Sequence, residues 1–164
     1  MEQLLSVVLA VGLVTSQGLA SQSKAPSIQG VWRVVEVTTT GPGARTLAFA
    51  DRPNLTIITA RHYSRVEVQA DGPRPVLTDV AKASADELRA VWGSFVGEAG
   101  TYEVASGNLL TVRPVASKNP AVMGPGVFIT YSYRLEGDTM WLTQQRNQSG
   151  PFPNPFTLKL TRVE

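Results

Sequence analysis

The chain is 164 residues long, enough for one domain with a full core and too short for two. Hydrophobic residues make up 43% and charged residues 17%, a globular rather than a disordered composition. A formal charge of +2 with no clustered Lys and Arg excludes a phosphate-tracking nucleic-acid surface, and the absence of cysteine excludes a disulfide framework, a thiolate metal site and a lipid-modified N-terminal cysteine.

Residues 4–14 form an apolar run broken only by Ser6 and Gly12, the length of a signal-peptide core and too short to span a bilayer as a helix. Small residues at Gly18 and Ala20 place cleavage after Ala20. The segment before the run carries Glu2 and no Lys or Arg, so an N-terminal anchor or a later start codon is the alternative. The expected organisation is a signal peptide over 1–20, a flexible polar tether over 21–27 and one β-domain over 28–164. The mature protein is then secreted or periplasmic, with no stable membrane insertion after cleavage.

From residue 28 onward, short β-branched runs alternate with Gly, Pro and Asn punctuation. Strands are predicted over 31–38, 55–60 and 63–69, the last two joined by a tight turn near Arg61-His62. A Pro-containing loop follows Asp71-Gly72-Pro73. Ser84 and Glu87 have the spacing of a capping box, and Leu88, Val91, Trp92, Phe95 and Val96 then recur on one helical face, predicting a helix over about 84–97. That face is expected to pack against or plug a sheet, with Trp92 and Phe95 as core residues or, alternatively, ligand contacts. Strands resume over 101–105 and 109–115 around Ser106-Gly107-Asn108. Alternation over 127–136, the Gly137-Asp138 turn, a run over 139–146 and a final run over 156–161 complete eight strands. There is no βαβ rhythm and no internal repeat, so the predicted fold is all-β: an eight-stranded antiparallel barrel with one short helix, closed to remove unpaired edges.

Gly30-Val31-Trp32 opens the first strand, and Arg162 on the last shares a face with Phe156, Leu158 and Leu160. This pattern resembles the lipocalin and calycin signature, in which a Gly-x-Trp on the first strand is covered by a basic residue from the final segment. A guanidinium over the indole seals it and donates to backbone carbonyls. Gly30, Trp32 and Arg162 are thus the expected barrel-closing set. Residues 28–164 also resemble the bacterial lipocalin-like domain proteins, through Gly-Val-Trp-Arg at 30–33, Arg-His-Tyr-Ser at 61–64, Gly-Thr-Tyr-Glu-Val at 100–104, Lys-Asn-Pro at 118–120 and Leu-Glu-Gly-Asp at 135–138. The resemblance implies a barrel with a cavity and carries no catalytic set. The chain departs from secreted lipocalins in lacking a disulfide and in placing its helix mid-chain.

Alternation also proposes an inward list. Trp32, Val34 and Glu36 share one parity, as do His62, Ser64, Val66 and Val68, which turns Glu36 and His62 toward the interior near the open end. A carboxylate and an imidazole there could support acid–base chemistry; the alternative is a turn histidine and a solvated glutamate. Tyr63, Arg65, Tyr102, Asn119, Tyr131 and Arg134 are further candidates to fix the polar head of an amphipathic ligand, or are surface and cross-strand residues. The expected ligand-binding set is Glu36, His62, Ser64, Tyr102, Tyr131 and Arg134. One His and no Cys argue against a metal site, and no nucleophile elbow, phosphate loop or dinucleotide fingerprint is present, so no cofactor and no catalytic residue is assigned. Asn54-Leu55-Thr56 and Asn147-Gln148-Ser149 fit glycosylation sequons. The expected function is binding of a small hydrophobic or amphipathic molecule in the barrel. The alternatives are an isomerase- or cyclase-like enzyme in the same cavity, or a filled barrel serving a structural or interaction role.

Overall fold

Ten strands and one α-helix follow one another along residues 27–164, the part of the chain that this computed structural model describes. The expected signal peptide, and the tether apart from Ser27, lie outside the described residues. The strands are β1 (Gly30–Thr39), β2 (Thr46–Ala48), β3 (Asn54–Ile58), β4 (His62–Val68), β5 (Phe95–Ala105), β6 (Leu109–Ser117), β7 (Ile129–Glu136), β8 (Thr139–Asn147), β9 (Gly150–Pro151) and β10 (Phe156–Arg162). Every pairing is antiparallel. The order β1-β3-β4-β5-β6-β7-β8 is an up-and-down meander, and β10 pairs with both β8 and β1, closing an eight-stranded barrel.

β2 and β3 share one edge of β1. Gly30–Trp32 pair with β3 and Glu36–Thr38 pair with β2, which leaves Val34 opposite the gap. Asn54 fills it with its side chain: Oδ1 accepts from the Val34 N–H at 2.6 Å, and Nδ2 donates to the Val34 carbonyl at 3.0 Å. A side-chain amide thus stands in for the missing ladder residue, as buried backbone groups require. The 49–53 connection also supplies Phe49 to the core, 4% exposed, a contribution the sequence pattern did not predict.

The helix α1 (Ala85–Trp92) starts as expected. The Ser84 hydroxyl accepts from the Glu87 N–H, and the Glu87 carboxylate accepts from the Ser84 N–H at 2.8 Å, which holds the Glu87 carboxyl below its usual range. It ends earlier than expected, at Gly93, and Phe95 and Val96 belong to β5, paired with Val68 and Glu67. The helix neither plugs the barrel nor buries a residue, and Trp92 is half exposed. Lys118 ties this region down by donating to the carbonyls of Trp92 and Phe95, and Asn119 caps the 3-10 turn Pro120–Val122 as Asp79 caps the earlier one, Val80–Lys82.

The core is densest against β1, β8 and β10, where Trp32, Val34, Met140 and Leu160 are sealed from solvent. The Arg162 guanidinium lies 4.1 Å from the centre of the Trp32 ring. It donates to the carbonyls of Gln29 and Ser27, each at 2.6 Å, while the Trp32 Nε1–H donates to the Ile28 carbonyl at 2.8 Å. Gly30 is required here: its φ is +140°, and a Cβ would lie 2.3 Å from Arg162 Nη1 and 2.6 Å from the Glu164 carbonyl oxygen. Trp32→Ala is expected to cost about 3–5 kcal/mol in urea unfolding, as for other buried aromatic truncations. Arg162→Ala should cost less while increasing acrylamide quenching of Trp32, read in a background where Trp92 and Trp141 are phenylalanine. An unchanged urea midpoint in Trp32→Ala would remove Trp32 from the core.

Candidate functional site

Three register shifts decide which side chains meet inside the barrel. In β1, buried Val34 pairs with buried Leu160 and partly buried Val37 with buried Leu158, and a bulge before Glu36 inserts an extra residue between them. Glu36 is therefore turned to the outer face beside Lys159. In β6 a bulge at Val115, opposite Ala99/Gly100, follows Pro114, a strand position where proline is tolerated because the ladder is already broken. Gly100 is needed at this close approach, since a Cβ there would lie 2.0 Å from the Arg113 carbonyl oxygen. In β8 a third shift leaves Gln145 as the extra residue opposite Thr130/Tyr131 and so sets Gln144, like Leu110, against the inward-facing Tyr131.

β4 has the opposite parity to the one expected from its valines. Tyr63 pairs with Ile58, and Arg65 pairs with Thr56; because Ile58 and Thr56 are buried, Tyr63, Arg65 and Glu67 point inward. His62, Ser64 and Val66 consequently face outward. His62 is exposed at the turn, where its N–H donates to the Thr59 hydroxyl at 3.2 Å, and Val66 is 43% exposed. A strand's side chains change face together when its register slips by one, so β3 fixes all of β4 at once. Arg134 is also external: its guanidinium lies 3.7 Å from the Trp141 ring centre and is bonded to Glu136. Glu36 and His62 therefore do not converge, and of the six expected ligand contacts only Tyr102 and Tyr131 line the interior.

What the strands do bring together is a polar cluster on the wall of an apolar void of about 40 Å³. Tyr63, Arg65, Glu98, Tyr102 and Tyr131 line it, along with Ile58, Leu110, Val112, Leu142, Leu158 and Leu160. Arg65 forks onto Glu67, Nη2 to Oε1 at 2.9 Å and Nε to Oε2 at 3.2 Å; the side chains are 18% and 4% exposed. Gln69 donates to the same Glu67 Oε1 at 2.6 Å. Burial works against the Arg65 cation, but Glu67, with Tyr131 and Glu98, more than offsets it, so the guanidinium titrates above its ordinary value. The Tyr63 hydroxyl donates to Glu98 Oε1 at 3.5 Å. Burial, and then the Glu98 charge, push the Tyr63 phenol well above its ordinary value, and burial likewise raises Tyr131; both remain neutral hydroxyls around pH 7. The Tyr102 hydroxyl donates to the Thr59 carbonyl at 2.6 Å.

Glu67 and Glu98 were absent from the sequence-derived candidates. The signal for Glu67 was the recurrence of polar residues at 63, 65 and 67, every second position along one strand. Glu98 carried no such signal, because it joins the cluster only through the β4–β5 register that sets it opposite Arg65. Among the described residues, no three His, Cys, Asp or Glu side chains are placed to hold a metal ion, and no helix is long and apolar enough to cross a membrane.

Fold and site together define a closed up-and-down antiparallel barrel with an ionic cluster beside a small apolar void, an architecture consistent with a lipocalin-like fold. No protein-family model matches the chain, and comparison with curated proteins finds no match either.

Removing Glu67 alone strands the Arg65 charge in the interior, so Glu67→Ala is expected to cost about 3–5 kcal/mol, whereas the double variant Arg65→Met/Glu67→Leu should unfold at or above the parent's urea midpoint. A neutral Glu67→Ala would mean that the pair is hydrated rather than internal.

Proposed function

We propose that this protein is an exported, lipocalin-like binding module whose barrel takes up a small amphipathic molecule. One observation carries the reading: charged and hydroxyl groups lie on the wall of a void that is otherwise lined by Ile, Leu and Val. Ligand pockets have this composition, apolar with a few polar groups that fix orientation. A barrel serving only as a structural support gains nothing from an internal ion pair, since well-packed apolar residues of similar volume are often as stable or more so.

The size of the void limits the occupant. Drug-sized pockets run to roughly 300–1,000 Å³, whereas a single water needs about 10–15 Å³ by the same kind of measure. At about 40 Å³ the void suits a head group of a few heavy atoms, with a short apolar tail against Leu110, Val112 and Leu142. Export follows from the apolar run over 4–14 and the small residues before position 21, and a barrel that contains no cysteine folds without any oxidising step.

Native mass spectrometry of the protein purified from its own host is expected to show a non-covalent adduct that is lost on collisional activation. The adduct should be missing from Val112→Phe, in which the void is filled. Bare protein mass, together with no thermal shift from short-chain amines, alcohols or carboxylates, would overturn the binding reading. Separately, N-terminal sequencing of the mature protein should begin at Ser21; a chain recovered from the cytosol with residues 1–20 still attached would overturn export.

A further inference from the structure

We infer that the interior site selects a cationic head, a short-chain primary amine, with Glu98 as the acceptor that reads it; this deepens the binding reading above and rests on it. The argument starts from the charges that face inward on β4 and β5: one guanidinium, Arg65, and two carboxylates, Glu67 and Glu98. The Arg65 and Glu67 charges neutralise each other: Nε and Nη2 both donate to Glu67, which receives Gln69 as well, so Glu98 is the unmatched charge of the three.

Glu98 is left with much less. Among the described residues its one hydrogen-bonded side-chain partner is the Tyr63 hydroxyl at 3.5 Å, the outer limit of such a bond, although a carboxylate can accept about four. The remaining residues on the wall are Thr56, tyrosines and aliphatics, with no second cation among them. An incoming carboxylate or phosphate would add a second unmatched negative charge beside Glu98, because the Arg65 charge is already balanced by Glu67. A neutral alcohol could satisfy only one of the open acceptor positions. A primary ammonium carries three donors, and they match what the wall offers: Glu98, and the oxygens of Tyr63 and Tyr131. Those phenols keep their protons, so they add dipoles and ring faces favourable to a cation without adding further charge. The small void favours a compact ammonium over a bulky trimethylated one.

The test compares three probes with the same four-carbon tail, n-butylamine, n-butanol and butyrate, by isothermal titration of the mature chain at neutral pH. Butylamine is expected to bind about tenfold or more tightly than butanol, as for one charge-assisted hydrogen bond, and butyrate to give no heat of binding. In Glu98→Gln the affinity for butylamine should fall to that for butanol. Equal or tighter binding of butanol or butyrate to the unaltered chain would overturn the cation selectivity and leave the binding reading standing. Silence from all three would overturn both. Should Glu98→Gln fail to fold, the three-probe comparison on the unaltered chain decides alone.

Discussion

β10 is paired along both edges, and the rest of the molecule depends on that double pairing. Leu158 and Leu160 lie between Val37 and Val34 on one side and Leu142 and Met140 on the other, so the seam of the barrel is also its best-packed wall. Without β10, the meander from β1 to β8 would have two long open edges and an apolar inner face exposed to solvent. With it, the termini of the described chain meet: Val31 donates to the Glu164 carbonyl, Val163 donates to the Val31 carbonyl, and Arg162 reaches across to Ser27 and Gln29. A chain with no disulfide is locked at its ends by one strand and one guanidinium.

That seam was legible in the sequence because it uses the simplest code available. Arg162 is in phase with Phe156, Leu158 and Leu160 along an uninterrupted strand, and Trp32 stands two residues after a glycine that no other residue could replace. The eight principal strands, the Ser84–Glu87 cap and the overall class were readable for the same reason, since each rests on local periodicity or on contacts a few residues apart. The short strands β2 and β9 carried too few residues to show a pattern, and Asn54's role as a substitute ladder residue depends on a gap visible only once β2 and β3 are laid along β1.

The interior cluster was misread for a different reason. Parity arguments assume that the apolar side of a strand is the inner side, and β4 violates this: valine faces out at 66 and glutamate faces in at 67. The preference that won belongs to the partner strand, where buried Ile58 and Thr56 fix the register of all of β4. Bulges add a second failure. The extra residue before Glu36 reverses the phase of β1 midway, so a rule that worked for Trp32 and Val34 gave the wrong face two positions later. Tyr102 and Tyr131 face inward because β5 and β7 keep their phase; the extra residues of the neighbouring shifts, Val115 and Gln145, lie in β6 and β8.

The two halves of the interior then have separate tasks. Trp32, Val34, Met140 and Leu160 fill the space against β1, β8 and β10, while the residual void is lined from β3 round to β10, with its charged groups on β4 and β5, its hydroxyls on β3, β4, β5 and β7, and no lining residue from β1. An ion pair is costly to bury and contributes little net stability, so its natural place is away from the seam that holds the barrel shut. This separation means that the charges on β4 and β5 can answer to a ligand without disturbing closure. The bulge between β5 and β6 lets the two strands approach closely: Gly100, opposite Tyr63, has no side chain to strike the Arg113 backbone, so β5 stays in register to set Glu98 opposite Arg65. The irregularities that defeat a period-two reading of the sequence are thus the same features that give the barrel an interior with chemical character.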